Sequence, residues 1–205
     1  MGTRKHPSVF DALHNLANCH QAHLATHGTY NRHDPNASYL TLAQGIHFPL
    51  WMTAAIRTKT NIVLLSACES NLTGLDTEGL LTPVGIGPTL AAAGAKTVVG
   101  TLWPCDGLAA LCFSYYFYTI AQINPQMPLH HVAAQARHAV RDMRRKELQT
   151  VIDEFELKDE NDLCWKNLVK GRKASSRFHK PFNKFEMWAG FTVLGQVKRE
   201  ESEQD

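Results

Sequence analysis

Asn61 to Ala67 reads NIVLLSA and Lys96 to Trp103 reads KTVVGTLW, and neither run alternates between apolar and polar residues. A strand with one wet face alternates. A strand buried on both faces does not, and parallel sheets covered on both sides are where such strands occur. Between the two runs lies LLTPVGIGPTLAAAGA, which reads as a helix capped by Thr77, with Pro83 and Pro88 near turns or kinks. Strand, helix and strand in that order make a βαβ unit. The chain is therefore expected to be α/β with a mostly parallel central sheet.

The flanking segments extend the pattern. Ser8 to Leu16 places Val9, Leu13 and Leu16 on one helical face, with Pro7 just ahead of the start. CHQAHLAT reads as a short strand that Gly28 ends, and DPNASYLTL as a turn running into an apolar segment at Tyr39 to Leu42. PCDGLAALCFSYYFYTI has a helical pattern. Leu129 to Met143 carries an apolar stripe of Leu129, Val132, Ala133, Ala136, Val140 and Met143, which predicts an amphipathic helix. MWAGFTVLG, Met187 to Gly195, reads as the last strand.

The 205 residues, 44% of them hydrophobic, suit one domain with one substantial core. Charged residues make up 20% and the net charge is only +2, which argues against a chain built wholly around nucleic-acid phosphates. The five cysteines are scattered and odd in number, so a disulfide framework or zinc ribbon is disfavoured and a reducing, cytoplasmic setting is expected. No apolar run follows Met1 to His6 as a secretory signal would need. The uncharged LAALCFSYYFYTIA spans only about 14 residues, against the roughly 20 of a membrane span, and reads as a buried helix. Asp153 to Asp162 holds six acidic residues and Lys166 to Lys184 seven basic ones, which predicts a solvated charged insertion at about 150–185. Trp165, Phe178 and Phe182, interleaved with those basic residues, keep a nucleic-acid contact through 166–184 as a lesser reading. Residues 196–205 read as a disordered acidic tail.

Two strand ends carry reactive side chains, His27 in HLATHG and Cys68 in VLLSACES. In a parallel sheet the carboxyl ends of the strands share one edge, where ligands sit. A thiol becomes a nucleophile when a neutral imidazole lies within reach. Gly28 would let the backbone approach a substrate, with its N–H and that of Cys68 as donors to an oxyanion. The small Ser66, Ala67 and Ser70 would leave room for a peptide. Against this stand two other readings. A cysteine is among the residues most often buried for packing alone. His23 and His27, four apart, share a strand face, but no carboxylate or second pair lies near to complete a metal site. The adjacent His130 and His131 point differently on a helix and cannot face one ligand.

The strings HLATHG, DPNASYLTLAQG, VLLSACES, EGLLTPVGIGPTLAAAGAKTVVGTLWPCD, FYTIAQ and WAGFTVLG run in one order over most of Pro7 to Gly195. They resemble the CHAT domain family, a caspase-like group of cysteine peptidases related to separases and gingipains. The resemblance implies a caspase-like three-layer α/β fold over 7–195, with His27 as general base, Cys68 as nucleophile, Gly28 in the oxyanion site, and no cofactor or metal. Asp106, after the GTLWP strand, stands where relatives such as separase have an acidic residue that receives a basic substrate side chain. Its other reading is the cap of the helix beginning at Gly107. Glu69, next to the nucleophile, is expected to be a second substrate contact. The loop SNLTGLDTEG departs from the family's usual glycine-first version. The resemblance also implies a missing N-terminal part, because the family has a further strand before the helix that precedes its HG motif. An upstream segment or activating partner is expected to complete it.

Three functions follow from these readings. The first is a cysteine endopeptidase acting on a protein or peptide and regulated by a partner. The alternative is a catalytically degenerate module that binds proteins as a scaffold. The third is a protein that contacts nucleic acid through its basic loop.

Overall fold

The computed structural model describes residues 8–31, 33–53, 55–72, 74–75, 81–82, 85–155 and 180–195. The expected cap at Thr77, Pro83, the charged run over 156–179 and the tail over 196–205 lie outside the described residues. The chain divides into two compact units, one of Met1–Pro104 with Phe191–Asp205 and the other of Cys105–Gly190.

In the first unit the central sheet has four strands, β1 (Gln21–Ala25), β5 (Ile62–Ser66), β8 (Thr97–Thr101) and β9 (Phe191–Gly195), in that spatial order. The first three are parallel and β9 runs antiparallel to β8, so the sheet is mostly parallel as the two apolar runs predicted. Residues 62–65 of β5 and all of β8 are buried, whereas β1 alternates between exposed and half-buried positions. One face packs against α1 (Val9–Asn18) through Leu16, with Val9 and Leu13 beside it. It also packs against α3 (Ile86–Ala92) through Ile86 and Leu90, around Val63, Leu65, Ala67 and Val98. α1 starts where the sequence indicates. Ser8 caps it, accepting from the Asp11 N–H at 3.2 Å while the Asp11 carboxylate takes the Ser8 N–H at 2.9 Å.

The HLATHG segment is not one strand. β1 stops at Ala25, and His27–Thr29 forms β2, which pairs in a separate antiparallel sheet with β3 (Tyr39–Thr41) and β4 (His47–Pro49). Thr26 is the joint, its N–H donating to the Ser66 C=O at 3.3 Å and its hydroxyl to the Thr41 C=O. Gly28 therefore lies inside a strand and does not end one. β4 is three residues long, too short for any periodicity to show, and the turn before it is set by left-handed Gln44 (φ 63°) and Gly45 (φ 74°). Leu40 and Phe48 face inward from this small sheet into the shared core.

Two further elements differ from expectation. The helix expected to run from Thr77 begins only at Ile86, which puts Pro88 in its first turn, where a missing N–H costs nothing. Leu81–Thr82 (β7) instead pairs with Gly74–Leu75 (β6). The last strand begins at Phe191, because Phe185–Trp188 is a helical turn.

The second unit is helical, comprising α4 (Gly107–Ile123), α5 (Leu129–Asp142), α6 (Arg145–Glu154) and α7 (Phe185–Trp188). α5 buries the predicted stripe from Leu129 to Val140. α6, which the charge-rich sequence obscured, buries Leu148, Val151 and Ile152. Phe182 is fully buried and Lys180 bonds Asp142 at 2.7 Å, so neither stands as a free stacking or phosphate-binding group. The Arg141 and Lys180 cations beside Asp142 hold its carboxyl well below the usual range. Among the described residues no helix is long and apolar enough to cross a membrane.

The small sheet that carries His27 is anchored by its inward side chains. Phe48→Ala should therefore destabilise the protein by about 3–5 kcal/mol in chemical denaturation.

Candidate active site

The pairing of β1 with β5 sets the level of the two reactive residues. Gln21 pairs with Ile62 and each following residue keeps step, up to Ala25 with Ser66. Two residues beyond that last pair, the chain reaches His27 on one side and Cys68 on the other. Gly28 then comes into direct contact with the Cys68 segment. A Cβ built on Gly28 would lie 2.6 Å from the Cys68 carbonyl oxygen, 3.3 Å from the Ala67 Cβ and 3.6 Å from the Cys68 nitrogen. Only glycine fits between these backbones, so the HG and SAC segments are packed together.

The side chains are less closely engaged. Along β2 the residues alternate, so Gly28 faces Cys68 and the core while His27 is exposed beside Thr41 and, one strand further, His47. Cys68 is half-buried. Among the described residues no hydrogen bond joins the imidazole to the thiol. A groove of about 620 Å³ runs along the strand ends, lined by His23, Thr26, His27, Thr41, Leu42 and Gly45 among others, and Cys68 is not on its wall.

His23 and His27, read as sharing one strand face, do not lie on one strand. The break at Thr26 puts the two on different sheets, and the His23 Nε2 lies 2.9 Å from the Ser66 hydroxyl. Desolvation by the surrounding strands pushes the His23 imidazole below its ordinary value, which favours the neutral ring, although an exposed edge weakens the effect. No cluster of three or more His, Cys, Asp or Glu able to hold a metal occurs among the described residues.

The turn after Cys68 is tightly held. Glu69 adopts φ 54°, a left-handed conformation that is uncommon for a side chain of its size, and its carbonyl accepts from the Leu72 N–H at 3.1 Å. Ser70 was expected to leave room for substrate, and the structure corrects this. Ser70 is fully buried, its hydroxyl accepts the Thr101 N–H at 3.0 Å, and its carbonyl accepts the Gly87 N–H at 2.7 Å. Ala67 is buried as well. Asn71 reaches the other way, donating to the Thr192 carbonyl and hydroxyl at 3.2 and 3.0 Å. Gly100 permits this crowding, since a Cβ there would lie 2.6 Å from the Ser70 hydroxyl. Sequence reasoning missed Ser70, Asn71 and Thr101 as site-building residues. Their one signal was a run of small polar residues at the ends of otherwise apolar strands.

Asp106 belongs to the second unit and caps α4, its Oδ1 accepting the Leu108 and Ala109 N–H groups at 3.0 and 2.9 Å. Of its two readings, the cap is the one seen directly.

The sequence model of the CHAT domain matches residues 5–196, nearly the whole chain. The chain belongs to the CHAT domain family. Its mixed α/β architecture with a mostly parallel sheet is the caspase-like class that the sequence resemblance implied, and CHAT domains are related to caspase-like peptidases. Among curated proteins, a comparison finds no match to the chain. In this CHAT domain the HG and SAC motifs are the two segments that Gly28 brings into contact.

The fit at Gly28 makes a direct prediction. Gly28→Ala must push the Cys68 turn aside, so it should lower thermal stability by the equivalent of about 1–3 kcal/mol. It should also change the rate at which iodoacetamide alkylates Cys68, read by mass spectrometry against Cys19 as internal reference.

Proposed function

We propose that this CHAT domain is a cysteine endopeptidase that works through His27 and Cys68. The observation that carries the reading is the packing of Gly28 on the Cys68 peptide at the end of in-step parallel strands. Caspase-like ancestry supports it. In this mechanism His27 takes the Cys68 proton and the thiolate attacks a peptide carbonyl. The N–H groups of Gly28 and Cys68 stabilise the oxyanion. The imidazolium protonates the leaving amine, and water, activated by His27, then releases the acyl group.

One observation favours the second reading, a CHAT module that binds proteins without cutting them, namely the absence of a thiol–imidazole hydrogen bond among the described residues. Catalytic hydrogen bonds are often loose until substrate arrives, so the peptidase remains the stronger reading. Cys68→Ala or His27→Ala should lower peptide cleavage by at least about 10³-fold. Cleavage that survives in Cys68→Ala rules out the assignment, and an iodoacetamide rate at Cys68 no greater than that of an ordinary thiol favours the scaffold.

Selection of Arg or Lys before the cut by Asp106 is part of this proposal. Asn caps a helix about as well as Asp, whereas Ala loses the cap at a cost of about 1 kcal/mol. Asp106→Asn should therefore keep the melting temperature and lose the preference for Arg over Leu substrates. An unchanged preference would leave Asp106 with the capping role alone.

A further inference from the structure

Thr101, the last residue of β8, spends all three of its polar groups on the turn that holds Cys68. Its N–H donates to the Ser70 hydroxyl at 3.0 Å, and its carbonyl accepts the Asn71 N–H at 2.9 Å. Its own hydroxyl donates to the Ala67 carbonyl at 2.7 Å. These bonds grip the turn on both sides of the nucleophile, from a residue only 1% exposed.

The third bond has a chemical consequence. The Ala67 C=O and the Cys68 N–H belong to one planar trans peptide unit, in which they point in opposite directions. Fixing the oxygen fixes the direction of the N–H. No described residue accepts a hydrogen bond from that N–H. A hydrogen bond to the oxygen of an amide also polarises its N–H and makes it a better donor.

We propose that Thr101 is a positioning residue whose hydroxyl aims the Cys68 N–H as an oxyanion donor. The proposal rests on the peptidase reading and deepens it by naming what orients the oxyanion site. It separates two properties of the site. Alkylation by iodoacetamide needs only the sulfur: the thiolate forms an S–C bond as iodide leaves, and no oxyanion develops. Addition of the thiolate to an aldehyde forms a C–S bond and moves the carbonyl electron pair onto oxygen, which the N–H donors hold and His27 protonates.

The test compares wild type, Thr101→Val and Thr101→Ser. Each is assayed for iodoacetamide alkylation of Cys68 across pH 5–9 and for reversible inhibition by tripeptide aldehydes ending in Arg, Leu or Asp. Thr101→Val, which puts a methyl where the hydroxyl was, should keep the alkylation rate and its pH profile within about 3-fold. It should weaken aldehyde binding by about 10- to 10²-fold, less than the loss of a whole oxyanion donor. On the best cleaved peptide it should lower kcat with little change in KM, as expected when only transition-state stabilisation is lost. Thr101→Ser keeps the donor and should restore both. If Thr101→Val does not fold, Thr101→Ala makes the same comparison. Equal losses in alkylation and aldehyde binding, or no loss in either, overturn the proposal. If the wild type alkylates rapidly at Cys68 and binds aldehydes while Thr101→Val matches it, the peptidase reading stands and the role of Thr101 falls. If the wild type binds none of the aldehydes, the peptidase reading fails and the proposal with it.

Discussion

Parallel strands pair through evenly spaced, slanted hydrogen bonds, so once Gln21 sits opposite Ile62 every later residue of β1 has its partner on β5 assigned. A slip of one residue would turn each side chain to the other face. Here β5 resists a slip because its first four residues are fully apolar and buried, and β8 locks its other side from Ile62–Thr97 to Leu64–Val99. The level of His27 relative to Cys68 is thus inherited from pairings several residues away. The contact of Gly28 with the Cys68 carbonyl is the point at which that inheritance reaches the chemistry.

The elements that were legible in the sequence are those whose physics is local or strongly periodic. β5 and β8 announced themselves by unbroken apolar runs, α5 by its stripe, and α1 by its cap. The misreadings share a cause. Whether residues 21–29 make one strand or two depends on Thr41, which takes the Thr26 hydroxyl from a distant strand, and no window around Thr26 contains that information. α6 was not read from the sequence: its last two residues, Asp153 and Glu154, open the acidic run that suggested a solvated loop, while only Leu148, Val151 and Ile152 supply a buried face.

The site shows the same division. His27, Gly28 and Cys68 were picked out by residue type and by strands expected to end there, whereas His27 and Gly28 open a second strand. The residues that hold them were not, because buried serine and threonine look in sequence like small fillers. Ser70 illustrates the point: a small side chain beside a nucleophile suggested open space, yet its hydroxyl is consumed inside the protein. Polar groups without water must find protein partners, and here the partner is the end of the neighbouring strand.

Because Thr26 divides HLATHG, the proposed base and nucleophile ride on two different sheets joined by a single residue. A rotation at Thr26 would break no strand pair in either sheet, but it would pull Gly28 off the Cys68 peptide and Leu40 and Phe48 out of the core. The separation of imidazole from thiol is consequently set by packing across the joint as well as by strand register. Anything that loosens the seat of Leu40 and Phe48 therefore reaches His27, because the three short strands carry it as one plate.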